Sequence, residues 1–139
     1  MKVKNHFFLV LCKTKNKIDK YIKINKIKNK EIINVSKLLE DLDMTYEEGS
    51  KSDLFKIYIH KKIQTAIRKK RDIYYIPYIE QVINQSKLDE VFKIKDKLEM
   101  YFDFNLLYFY DDFNDENIKP QKILDKIDKF DLSQIIKDY

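Results

Sequence analysis

Apolar residues in this chain recur in two rhythms, one of strands and one of helices. His6 to Cys12 is an almost unbroken apolar run of strand length, as expected of a strand buried on both faces. Asp72 to Ile79 is dense in Ile and Tyr and predicts another strand, with Pro77 marking its end or an edge. Phe104 to Tyr110 predicts a third, and Glu31 to Val35 a shorter one. Helical spacing is clearest in Phe55, Ile59, Ile63 and Ala66 or Ile67, which predict a helix over Asp53–Arg71 with Ser52 as its N-cap. Ser36 offers an N-cap for a helix carrying Leu38, Leu39 and Leu42. Ser86 and Asp89 suggest a capping box before the stripe Leu88, Val91, Lys95 (by its stem), Leu98 and Phe102. Pro120 opens a last helix with Ile123, Leu124, Ile127 and Phe130 on its apolar face. Lys13 to Lys30 fits either rhythm. Asp43 to Ser52, which holds Gly49, reads as a polar loop.

Strands separated by helices require crossover connections, and crossovers produce a parallel sheet covered on both faces. The expected fold is a three-layer α/β sandwich with a mostly parallel central sheet and helices on both faces. At 139 residues, with no internal repeat and no long linker, residues 1–139 read as a single α/β domain.

Composition narrows the chemistry. There is one glycine where average usage would give about ten. Glycine alone takes positive φ cheaply and lets backbone approach a ligand closely, so Gly-rich phosphate cradles, dinucleotide fingerprints and nucleophile elbows are all missing. The single cysteine, Cys12, cannot form an internal disulfide, which suits the reducing cytoplasm or the interior of a virus-infected cell. The N-terminal apolar run is too short for a signal peptide and is followed by Lys13-Thr14-Lys15; no run approaches a membrane span. The expected localisation is therefore cytoplasmic, in host cytoplasm or a virion if the source is viral, with no membrane partner.

The net charge of +5 is unevenly placed. Residues 1–30 carry ten Lys and one acid, Asp19, while residues 99–139 carry ten acids and five Lys. The two ends can steady each other within the molecule, or the basic start can face a polyanion. The bias towards Ile, Lys and Asn also suits an AT-rich coding sequence, which weakens a functional reading of lysine counts.

The first strand runs directly into Cys12-Lys13-Thr14, and alternating helices and strands follow. That order resembles P-loop kinases, and Asp53–Arg71 followed by Asp72-Ile-Tyr-Tyr-Ile-Pro-Tyr-Ile resembles the helix and core strand of small nucleoside and polynucleotide-end kinases. The resemblance covers most of the chain in element order, but only the Lys-Thr pair matches the phosphate loop (a degenerate Walker A sequence), whose glycines are absent here. It implies a kinase-like scaffold without its nucleotide site. It also implies that Asp111 or Asp112, just after a strand, stands where the family holds its metal.

The acids Asp111, Asp112, Asp115 and Glu116 are candidates for a hard cation at the carboxyl end of the sheet, or simply a solvated loop at a helix start. A calcium loop counted from Asp112 fails, with Asn117 at its Gly position and Ile123 at its terminal Glu. His6 and His60 have no metal-like spacing to each other or to Cys12, and read as a strand-edge and a surface residue. The strongest candidate surface is the helix 53–71, where Lys61, Lys62, Arg68, Lys69, Lys70 and Arg71 could contact phosphates. Lysines and arginines in a last helical turn also complement the helix dipole. Tyr74, Tyr75 and Tyr78 offer stacking platforms or ordinary sheet packing.

These features point to an interaction protein, without intact catalytic or nucleotide-binding motif and with no cofactor implied. The first expectation is an adaptor or accessory component, of viral or mobile-element type, that binds another protein. The second is a nucleic-acid-binding module using the basic helix. The third is a divergent phosphoryl-transfer enzyme of the nucleotide or polynucleotide kinase type.

Overall fold

The structure is a computed structural model and describes residues 4–113, 120–127 and 133–137. Five strands form one sheet: β1 (Asn5–Leu11), β2 (Lys30–Asn34), β3 (Asp72–Ile76), β4 (Phe102–Phe109) and β5 (Ser133–Ile136). Their spatial order is β2-β3-β1-β4-β5, and every pair is parallel. The helices are α1 (Lys15–Ile24), α2 (Val35–Asp41), α3 (Tyr46–Lys51), α4 (Asp53–Lys69), α5 (Ile79–Ile83), α6 (Gln85–Phe92), α7 (Ile94–Leu98) and α8 (Pro120–Ile127). A 3₁₀ turn, Tyr110–Phe113, closes β4.

Side-chain alternation along the strands splits the core in two. Phe7, Leu9 and Leu11 of β1, Ile73 and Tyr75 of β3, and Leu106 and Tyr108 of β4 point to one face. They meet Leu38 and Leu39 of α2, Ile63 and Ala66 of α4, Leu88 and Val91 of α6, and Ile123 and Ile127 of α8. Val10, Tyr74, Ile76, Leu107 and Phe109 point to the other face, where Ile18 and Ile22 of α1 cover them. The fold is thus a three-layer α/β sandwich with one thick layer and one thin one. Right-handed crossovers explain the asymmetry: only the β1–β2 connection runs towards the β2 edge, so only α1 lands on its face. Each fully buried Ile or Leu is worth about 1.5–3 kcal/mol, and α1 is anchored mainly by two.

Several local expectations need correction. Residues 46–51 form a helix rather than a loop, started by a Thr45–Glu48 capping box. Gly49 lies inside it, buried and without positive φ. Its value is close approach: an added Cβ would intrude on Leu39 Cδ2 of α2 and touch Phe55 of α4. The left-handed positions that glycine usually fills belong instead to Lys26, Asn29, Asp43 and Lys70. The second helix starts at Val35 under Asn34, whose side chain accepts from Lys37 N–H, so Ser36 is not the cap. Asn84 likewise replaces Ser86 as the cap of α6, because its Oδ1 accepts from both Ser86 and Lys87 N–H. The long helix read from Leu88 to Phe102 is two, α6 and α7, meeting at Lys93, and Phe102 opens β4. Lys15–Ile24 is helical, β5 is an edge strand that the sequence reading did not contain, and Phe130 lies outside the described residues. Ser52 does cap α4, accepting from Phe55 N–H at 3.2 Å.

Candidate functional site

In an open parallel sheet, ligands favour the crevice where neighbouring strands send their connections in opposite directions. Here that place lies between β1 and β4: β1 leads towards the β2 edge and β4 towards β5. The side chains found there bind each other. Lys13 N–H donates to Asp112 Oδ2 at 3.3 Å, and Lys17 Nζ lies 3.2 Å from Asp112 Oδ1. The Asp112 side chain is 7% exposed. Its carboxylate therefore sits at the start of α1, the position that favours an anion. Lys13 Nζ hangs over the Phe113 ring at 6.0 Å. Cys12 is buried beside them, its Sγ 3.3 Å from Thr14 O. Burial, reinforced by the Asp112 carboxylate, pushes its thiol up to about 12, so it is held as an unreactive thiol at neutral pH. Asp111 beside Asp112 is exposed, and the described residues hold no group of three or more His, Cys, Asp or Glu suited to a metal ion.

A different place is open. Between α4 and α7 runs a groove of about 960 Å³. Ile59, Ile63 and Ile67 of α4 form one side of its floor, and Ile94 and Leu98 of α7, with Tyr101, form the other. Lys56, His60, Lys61 and Arg68 stand along the α4 side and Lys97 on the α7 side. Among the described residues, no Asp or Glu lines it. None of these basic side chains makes an ion pair with a described residue, although α4 itself carries an acid, Asp53, in its first turn. The sequence builds this directly: Phe55, Ile63 and Ala66 of α4 are buried, and Ile59 and Ile67 beside them are only half-buried, so the apolar face of α4 extends into the groove.

Searches against protein-family models, curated proteins and solved structures find no match for this chain.

The six basic positions read from the sequence separate in space. Lys61 and Arg68 line the groove; Lys62, Lys69, Lys70 and Arg71 do not. Arg71 is tied down, its Nη1 donating to Glu31 Oε1 of β2 at 2.6 Å. Lys70 terminates α4 in the left-handed conformation at φ 55°, and Asn5 Nδ2 donates to its carbonyl. His60, on the same basic face of the helix, lines the groove too, and Lys56, Lys97 and Tyr101 join it although their positions in the sequence do not mark them. Lys97 and Tyr101 were hidden because the spacing there reads as one continuous helix, whereas the break at Lys93 makes α7 a separate helix beside the groove.

The remaining candidates have structural settings. His6 is in a central strand rather than at an edge, its Nδ1 2.9 Å from Asn105 Nδ2. His60 is on the surface, as its helix position implied. Tyr74 and Tyr75 are buried in the sheet, so neither offers a face for stacking. Tyr78 stacks on Tyr46 with ring centres 5.0 Å apart. That pair lines a second cleft with Glu40, Glu47 and Glu80, opposite in charge to the α4–α7 groove. Lys87 approaches two of its residues, with Nζ 4.8 Å from the centre of the Tyr46 ring and 3.7 Å from Glu80 Oε2. Burial and the carboxylates of Glu90 and Glu80 raise the Tyr46 phenol above its ordinary value.

Proposed function

We propose that this chain is a non-catalytic interaction protein that binds an acidic protein partner through the groove between α4 and α7. The observation that carries this reading is a set of cations around an apolar floor, with no Asp or Glu among the described lining residues. Cations that make no ion pair among the described residues are available to a partner's carboxylates, and half-buried isoleucines gain from being covered. The same cations would accept phosphates. A nucleic acid, however, would bring phosphates and sugars against an isoleucine floor, and Tyr101 is the sole Phe or Tyr ring among the described lining residues. The kinase-like reading gains less support, since Asp112 sits at the start of α1 and pairs with Lys17. The size and the Ile, Lys and Asn bias suit an accessory component of a virus or mobile element working in a reducing compartment.

A photo-crosslinking residue at Gln64, in the groove, tests this in an extract of the source cells. The same residue at Asn25, beyond α1, serves as the control. The expected result is a protein adduct from position 64 that is absent from position 25. A nuclease-sensitive adduct from position 64, or equal adducts from both, would overturn it.

A further inference from the structure

The groove specifies more than the charge of its occupant. Its α4 wall presents Ile59, Ile63 and Ile67 at intervals of four residues. Its opposite wall presents Ile94 and Leu98 at the same interval, followed by Tyr101. Two such ridges, set on neighbouring helices, leave between them the furrow into which the ridge of a third helix packs. All of these side chains except Ile63 and Tyr101 are half-buried, covered from below by the core and open above. The basic side chains stand on both walls, Lys56, Lys61 and Arg68 on one and Lys97 on the other. A segment lying along the furrow would therefore meet apolar surface beneath it and positive charge on each flank.

We infer that the occupant is an acidic amphipathic α-helix, with apolar residues at intervals of three and four and Asp or Glu on both flanks. This rests on the proposed function and deepens it. An extended strand would turn every second side chain away from the groove and present a single narrow row to a floor walled by two helices. A helix places i, i+3, i+4 and i+7 on one face, and that face matches the floor. Lys56 to Arg68 covers twelve residue steps, about 18 Å of helix at roughly 1.5 Å per residue, or somewhat over three turns of a partner lying parallel to α4.

The test is a fluorescence-anisotropy titration of the full chain with a designed 14-residue helical peptide bearing Leu on one face and Glu on both flanks. The controls are the same residues in an order that destroys the amphipathic pattern, a 15-nucleotide oligo-dT, and vesicles of phosphatidylglycerol. The patterned peptide is expected to bind at least ten-fold more tightly than each control, and to weaken as salt rises. Lys61→Glu with Arg68→Glu should weaken it at least ten-fold, whereas Lys69→Glu, on the same helix outside the groove, should change it less than two-fold. Melting temperatures of both variants establish that they remain folded. Equal binding of the scrambled peptide, tighter binding of oligo-dT or vesicles, or no binding of the patterned peptide would overturn the inference. If the patterned peptide fails while the Gln64 crosslink still captures protein, the helical occupant is wrong and the interaction reading stands. If that crosslink captures nucleic acid, both are wrong.

Discussion

Replacing Asp112 distinguishes an acid that holds the fold together from one held ready for a ligand. Its side chain is 7% exposed and makes two contacts, with Lys17 Nζ at 3.2 Å and with the Lys13 backbone N–H at 3.3 Å. A hydrogen bond to a charged group contributes roughly 1.5–3 kcal/mol. The Lys17 pair adds less than about 1 kcal/mol, since Lys17 is 24% exposed and water screens it. Asp112→Ala should therefore cost about 2–3 kcal/mol, and Asp112→Asn, which keeps an acceptor for Lys13 N–H, about 1 kcal/mol. For a chain of this length each kcal/mol lowers Tm by roughly 3–5 °C, so calorimetry should show a drop of roughly 6–15 °C for the alanine variant. A cycle with Lys17→Met should return a coupling of about 0.5–1 kcal/mol between the two positions. Acids kept at functional sites commonly cost stability, and removing them raises Tm. An unchanged or higher Tm in both Asp112 variants would refute the structural role and return the β1–β4 crevice to consideration as a ligand site.

Three further outcomes follow from local chemistry. Lys70→Gly should raise stability by about 0.5–1 kcal/mol in urea titration, because glycine relieves the left-handed strain at φ 55°, and peptide binding should be unchanged because Lys70 is outside the groove. Tyr108 is fully buried, with a hydroxyl that finds no partner among the described residues, so Tyr108→Phe should leave Tm unchanged or raise it; a fall of more than a few degrees would reveal a hydrogen bond. Burial holds Cys12, Tyr75 and Tyr108 protonated up to about pH 12, whereas in the unfolded chain the thiol ionises near 8.5 and the phenols near 10. The folded chain then binds more protons than the unfolded one above about pH 8.5, so stability should be full below that value and fall as pH rises towards 12. The urea midpoint should decline over that window, and Cys12→Ala should flatten the first part of the decline.

Much of the architecture was legible because the central strands are dense in apolar residues without clean alternation. His6 to Cys12, Asp72 to Ile79 and Phe104 to Tyr110 are of strand length, each overlaps a strand of the sheet, and a parallel sheet follows from the helices between them. The ends of elements were less legible. Asn34 and Asn84 outcompete nearby serines as caps, a choice decided by which oxygen reaches the amide two or three residues on. Gly49 suggested a turn because turns are the usual need for glycine; tight packing against Leu39 leaves no trace in sequence. β5 is a four-residue edge strand, too short for its pattern to be read. The basic character of α4 was visible, but not which of its cations share a site. That depended on Glu31 engaging Arg71, on Lys70 ending the helix, and on α7 bringing Lys97 across from thirty residues away.

The central claim is that the α4–α7 groove is the binding surface of this protein. Titration of the patterned acidic peptide against the wild-type chain and the Lys61→Glu, Arg68→Glu variant tests it most directly. Saturable binding is expected, weakening at least ten-fold in the variant and falling with rising salt, at an unaltered melting temperature. Equal affinity of the two proteins would contradict it.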